Sequence, residues 1–357
     1  MGHKVRWLSV FLLLVGYATN ALAAQAGSQT FDEKAVANFY RGKSVRIIVG
    51  FSAGGGYDQY SRLIGRHLSK HIPGNPAIIV ENMAGAGSII AANHVYNAAP
   101  KDGSVIGNIS GPIILEQLFG NPAVQFDLAK YRYLAVPVRE TYVIVVTRKP
   151  GVTKLEELIG PKGKQVVFGA IPGSTVEHGA ILMRDVVGAN LKVVSGFKGT
   201  ADVRMAIDGG EVEGFVNTWQ SLKITSIDKF KSGEWLILAQ LSEKPIKDLP
   251  TPNVPAIPML AKNSEQQQLL KFGTSTPNEF GKVYVLPPGT PPDRAAALEA
   301  AFAKAFADKE LLADAEKGRL EIDPMFGEET HKLVSEFLGM SPDLKSKLQS
   351  ALKGGKK

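Results

Sequence analysis

Residues 44–68 read SVRIIVGFSAGGGYDQYSRLIGRHL, and the order of the three parts decides the fold class. Ser44 to Gly50 is a β-branched run of strand type and length. Phe51 to Gly56 is a glycine-rich loop. Tyr60, Leu63, Ile64 and Leu68 then recur at helical spacing and give one apolar face as far as about Lys70. The next stretch repeats the grammar. Pro76 to Glu81 reads as a strand, Asn82 to Ser88 as a second glycine loop, and Ile89, Ala92 and Val95 as the apolar face of a second helix. Ser104 to Ile109 makes a third strand after the Asp102-Gly103 turn. Strand, glycine loop, helix and strand in alternation specify an α/β fold with parallel strands.

The middle of the chain starts again. Tyr142 to Thr147, Gln165 to Gly169, Leu191 to Val194 and Leu236 to Gln240 are strand-like. Helical stretches fall at Lys154 to Leu158, Val176 to Val187 and Ala201 to Asp208. After the proline-rich Pro245 to Pro258, a strand at Val283 to Leu286 precedes helices at Asp293 to Ala307, Glu328 to Leu338 and Pro342 to Leu352. Two such units in 357 residues predict two lobes with mixed or parallel sheets around a cleft. The boundaries are expected near Lys130 and Leu241: residues 24–130 plus 242–357 form lobe 1, and residues 131–241 form lobe 2.

The first 23 residues stand apart. Lys4 and Arg6 precede an apolar run from Trp7 to Ala18, and Ala21-Leu22-Ala23 is a small-x-small cleavage pattern. The run is shorter than the roughly 20 residues a membrane span needs. A cleaved signal peptide, residues 1–23, and a periplasmic mature protein are expected. There is no cysteine, which excludes disulfides, thiol catalysis and cysteine metal sites. The formal charge of +7 comes without a basic stripe interleaved with aromatics, so nucleic acid is not an expected partner. A mildly basic body suits small anions.

In an α/β sheet, ligands gather beyond the carboxyl ends of the strands. The loop Phe51, Ser52, Ala53, Gly54, Gly55 and Gly56 sits there, ahead of a helix whose free N–H groups favour an anion. Phe51 and Tyr57 bracket it as an apolar wall. Asp58 falls in the helix's first turn, as a cap or as a ligand contact. Tyr57-Asp58 in place of Lys-Ser/Thr excludes a P-loop. In the second unit, Gly173, Ser174 and Thr175 open a helix, with a hydroxyl available for capping or for the cleft. Gly196 to Thr200 forms a comparable loop, in which Lys198 either meets a carboxylate or is a solvated surface residue. Ser174, His178 and Asp202 give a rival reading as a secreted serine hydrolase. No Gly-x-Ser-x-Gly elbow surrounds the serine. Six histidines without an HExxH motif suggest neither a metal nor a cofactor.

VRIIVGFSAGGGYDQYSRLIGRHL, IIVENMAGAGSIIAANHVYNAAPKDGSVIG, GSTVEH, FKGTADVRMAIDGGEVEG and Leu286-Pro287-Pro288-Gly289-Thr290-Pro291 occur in this order. With them the chain resembles the periplasmic receptors of tripartite tricarboxylate transporters, the Bug family of solute-binding proteins. The resemblance implies a type II periplasmic-binding-protein fold and no enzymatic activity. A small carboxylate would be clamped between the lobes of a monomer and delivered to a permease of one large and one small integral subunit. It also implies that backbone amides and ordered water at Phe51–Gly56 hold one ligand carboxylate, with Asp58 nearby. Ala86, Gly87 and Ser88 would line the same lobe, and Gly173, Ser174, Thr175, His178, Phe197, Lys198, Gly199 and Thr200 would close from the other. An alternative is a receptor that presents its ligand to a signalling partner. The chain departs from the family's Asn-Arg-Pro-Gly-Ala-Gly, since Met83 stands where an arginine is common, and Glu213 replaces a usual Asp.

Overall fold

The computed structural model describes residues 31–246 and 248–353; the expected signal peptide lies outside them. Eleven strands are formed: β1 Ser44–Val49, β2 Ala77–Asn82, β3 Val105–Ser110, β4 Arg132–Val136, β5 Tyr142–Thr147, β6 Val166–Ala170, β7 Leu191–Ser195, β8 Gly214–Thr218, β9 Trp235–Leu241, β10 Lys282–Leu286 and β11 Met325–Phe326. They make two sheets, ordered β11-β4-β10-β3-β1-β2 and β7-β6-β8-β5-β9. In the first, β1 lies between β2 and β3, parallel to both, with Ile47 opposite Val80 on one side and Ile106 on the other. In the second, β6 lies in the same way between β7 and β8. Each parallel trio is then extended by antiparallel strands, β10 and β4 in the first sheet and β5 and β9 in the second.

Burial explains the patterns. β3 is buried at every position and β1 at four of six, as expected of central parallel strands covered on both faces. β2, an edge strand, has no fully buried residue. The strands read from sequence form within about a residue of their expected ends, and so do the long helices Gly56–Leu68 and Pro292–Phe306.

Three strands escaped the sequence. Arg132–Val136 follows a polar stretch, Gly214–Thr218 carries a glycine and an asparagine, and Met325–Phe326 is two residues long. The first matters for the lobes. The boundary expected near Lys130 falls one strand early, because β4 pairs with β10 and β11 in the first sheet. The chain therefore crosses between the sheets over residues 137–141. The other expected boundary, Leu241, is the last residue of β9. However, the helix Ser264–Leu270 still packs against the second lobe's helix Thr175–Leu182. The C-terminal helix Pro342–Lys353 returns to pack on both of these, so the end of the chain is not purely lobe 1. Among the described residues no helix is long and apolar enough to cross a membrane.

Leu348 of that C-terminal helix is fully buried, and a Cβ on Gly273 would lie 3.1 Å from it. Leu348→Ala is expected to cost about 2–5 kcal/mol, the range for a leucine cavity. Denaturant unfolding measures it; a loss below about 1 kcal/mol would mean that the helix does not dock.

Candidate functional site

Glycine-led loops from the two lobes meet across the gap between the sheets, Gly54–Gly56 against Thr200 and Ala201, and Gly87 against Pro172 and Gly173. On the first lobe, Gly54 has φ +79°, a left-handed conformation that favours glycine. Its amide donates to Asp58 Oδ2 at 2.9 Å, and Arg62 Nε donates to the same oxygen at 3.0 Å. Asn82 Nδ2 donates to the Phe51 carbonyl at 2.9 Å. Asp58 thus caps the loop from within rather than lining the cavity. Burial pushes its carboxyl up, but the bonds from Arg62, the Gly54 amide and Asn82 outweigh this and leave it below the usual range. Beneath the loop, Asn108 of β3 donates to Ser61 Oγ at 2.7 Å and to the Tyr57 carbonyl at 3.2 Å, and Ser61 bonds Tyr284 at 2.9 Å. This buried network fixes the start of the helix on its sheet.

On the second lobe, Gly173 donates its amide to Glu177 Oε2 at 2.9 Å, and Ser174 Oγ donates to the Ile171 carbonyl at 2.7 Å. Thr175 Oγ1 donates to Asn278 Oδ1 at 3.0 Å. Both hydroxyls therefore hold backbone segments together. His178 Nε2 lies 3.4 Å from Glu116 of the first lobe. The imagined Ser174–His178–Asp202 relay is not assembled in this arrangement, since Ser174's hydroxyl is committed to Ile171.

The lobes touch. Gly199 is extended, and a Cβ there would collide with Ser52 Oγ across the gap. A Cβ on Gly87 would collide with the Pro172 carbonyl. Gly85, Ala86, Gly87 and Ser88 all have positive φ, between +46° and +142°. Two of these four are not glycine, so the loop stores strain that its packing must hold. Arg204 Nη2 reaches the Gly54 carbonyl at 3.0 Å.

Between these contacts lies a cavity of about 30 Å³, lined by Phe51, Gly55, Gly56 and Tyr57 from the first lobe. The second lobe supplies Tyr142, Ile171, Ser174, Val176, Thr200, Asn217, Thr218 and Ser221, and Lys282 of β10 completes the wall. The volume suits one or two waters, so a di- or tricarboxylate enters only if the lobes part. Phe51 and Tyr57 stack with ring centroids 4.3 Å apart and form the expected apolar wall. No lining residue is acidic.

Several expected site residues lie elsewhere. Lys198 is exposed and outside the cavity wall, and Phe197 packs toward Gly169 at the second lobe's core. Ser88 Oγ accepts from the Ser110 amide at 3.2 Å. Ala86, Gly173 and His178 line a separate groove of about 690 Å³ with Glu116 and Lys353. Conversely, Tyr142, Asn217, Thr218, Ser221 and Lys282 line the cavity without having been singled out as site residues. Three of these mark one more strand-to-helix junction: Thr218 Oγ1 caps the helix Trp219–Thr225 by accepting from the Ser221 amide at 3.2 Å. A threonine three residues before a serine was the available signal. For Lys282 the signal was a lysine heading the otherwise apolar KVYVL.

Residues 61–344 match the sequence model of the tripartite tricarboxylate transporter family receptor. A Cupriavidus necator relative, "UPF0065 protein in gbd 5'region", is 25% identical over 304 residues, which are 83% of this chain and 84% of the relative. Among solved structures, the periplasmic binding protein BugD aligns with TM-score 0.68 at 18% identity over 87% of this chain and 98% of its own. Rhodopseudomonas palustris MatC, solved with bound malate, aligns with TM-score 0.64 at 17% identity over 86% and 99%. An R. palustris protein solved with adipate aligns with TM-score 0.66 at 18% identity over 87% and 98%. At these identities the structures establish the fold, a two-lobed periplasmic-binding-protein fold as the resemblance implied. The family match covers most of the chain: the protein belongs to the tripartite tricarboxylate transporter receptor family, whose members are solute-binding proteins.

Proposed function

We propose that the protein captures a small carboxylate by lobe closure in the periplasm and delivers it to a permease with one large and one small membrane subunit. The observation that carries the reading is the cavity wall. Both lobes contribute to it, the glycine-led helix start Gly55–Gly56 opens onto it, and its one charged side chain is Lys282, a cation. Free amides at a helix start, hydroxyls and an ammonium are donors, which suit an oxyanion. Relatives of the same fold solved with malate and adipate support the ligand class. A ligand drives closure only by touching both lobes, and a cavity shared between the lobes meets that condition.

Di- and tricarboxylates are expected to raise the melting temperature of the mature protein. A ligand at 100 times its Kd adds about 2.7 kcal/mol. Thermal shift followed by calorimetry tests this; stabilisation by an uncharged sugar and by none of the acids would sink the reading. A second test targets closure. Gly199→Val is compatible with the extended backbone, yet its side chain meets Ser52 only when the lobes are together. Carboxylate affinity should fall about 10- to 100-fold, the cost of an overpacked contact, while the fold of the free protein, followed by circular dichroism, is retained. Unchanged affinity would show that Gly199 and Ser52 do not meet in the bound state.

A further inference from the structure

Lys282 heads β10 with its side chain fully inside the protein. Its ammonium pairs with Glu140, whose side chain is also fully buried. Glu140 sits in the crossover at 137–141, and Lys282 is the first strand residue after the chain returns from the second lobe. The pair therefore lies where the lobes are joined. It also borders the cavity. A Cβ on Gly56 would lie 3.1 Å from Lys282 Cε and 3.0 Å from Ser221 Oγ. The lysine from one lobe and the serine from the other thus meet at the first residue of the helix Gly56–Leu68. The Lys282 ammonium lies 4.9 Å and 5.5 Å from the ring centroids of Tyr57 and Tyr60.

Three buried polar atoms here lack partners: Ser221 Oγ, Asn217 Nδ2 and Glu140 Oε2. Asn217 Oδ1 accepts from the Thr218 amide at 2.8 Å, which leaves the amide nitrogen as the free end. Unsatisfied buried donors are costly. A buried ion pair is also weak evidence of stability, because its desolvation offsets its attraction. Burial pushes the Lys282 ammonium below its ordinary pKa, against the pull of Glu140. The Gly56 helix start and the Lys282 ammonium both favour an anion on the cavity side, in addition to Glu140. On the cavity wall itself, Ser221 Oγ, Asn217 Nδ2 and the Lys282 ammonium are all donors, offered to a guest that accepts hydrogen bonds.

We propose that Lys282, held by Glu140, is the charge-reading residue of this site: with Asn217 Nδ2 and Ser221 Oγ it forms a subsite beside the glycine loop for a second carboxylate. The protein then selects dicarboxylates over acids with a neutral second end. This rests on the carboxylate-capture reading and adds the requirement for the second charge.

The test compares α,ω-dicarboxylates of four to six carbons with their half-amides by calorimetry. The wild type is expected to favour the diacid about 10- to 100-fold, as a hydrogen bond to a charged group implies. In Lys282→Met/Glu140→Gln both charges go together, so no lone charge is buried. This variant should bind the half-amide within a few-fold of wild type and lose the preference. Ser221→Ala leaves the ion pair in place and should narrow the preference about 5-fold, one neutral hydrogen bond's worth; it serves if the double variant does not fold. A wild type without preference, or a preference intact in a folded double variant or in Ser221→Ala, overturns the proposal while capture stands. If neither diacid nor half-amide binds the wild type, the capture reading falls and takes the subsite with it.

Discussion

Two backbone segments approach across the cleft more closely than any Cβ would allow: Gly199 against Ser52, and Gly87 against Pro172. Everything else about the site is arranged to make this approach repeatable. The Asp58–Arg62 pair and Asn82 shape the first loop, and Glu177 shapes the loop at Gly173. The run of positive φ from Gly85 to Ser88 presents Gly87 to the other lobe. Glycine is required at Gly87 and Gly199 because a neighbour's backbone or side chain occupies the place of the Cβ.

Polar contacts cross the gap as well, among them Lys223 and Gln220 of the second lobe with Glu321. Arg204 reaches the Gly54 carbonyl, and His178 faces Glu116. Burial pushes the Glu116 carboxyl up, but His178 and Asn121 more than offset this. Burial also lowers the Arg204 guanidinium from its ordinary value. Each lobe has its own sheet, while the helices Ser264–Leu270 and Pro342–Lys353 pack onto the second lobe's helix Thr175–Leu182.

The strand–loop–helix order was legible because it rests on local rules: β-branched runs, glycines at turns, and apolar spacing. Gly54 and Gly56 could be placed at a helix start from the sequence alone. Which polar side chains face the cavity could not, because that depends on partners distant in sequence. Ser174 and Thr175 looked like cleft hydroxyls until Ile171 and Asn278 took them. Lys282 was not singled out at all, since its partner Glu140 is 142 residues away. β4 and β8 were passed over because arginine, glycine and asparagine blur a strand's pattern; their hydrogen bonds to β10 and β5 form them regardless.

This division has a consequence for how such a site changes its ligand. The glycine loops offer backbone amides, and backbone amides are the same whatever side chains surround them. In the capture proposed above, they hold one carboxylate through the main chain alone. In the subsite proposed above, discrimination falls to side chains instead: Asn217 and Ser221, with partnerless donors, and Lys282, held by Glu140. Asp58 and Ser174 are poor candidates for that task, since altering either would first disturb the loop it ties. Asp58 and Ser174, whose polar groups are tied into their loops, build the frame, while Asn217 Nδ2 and Ser221 Oγ are donors left over on the cavity wall.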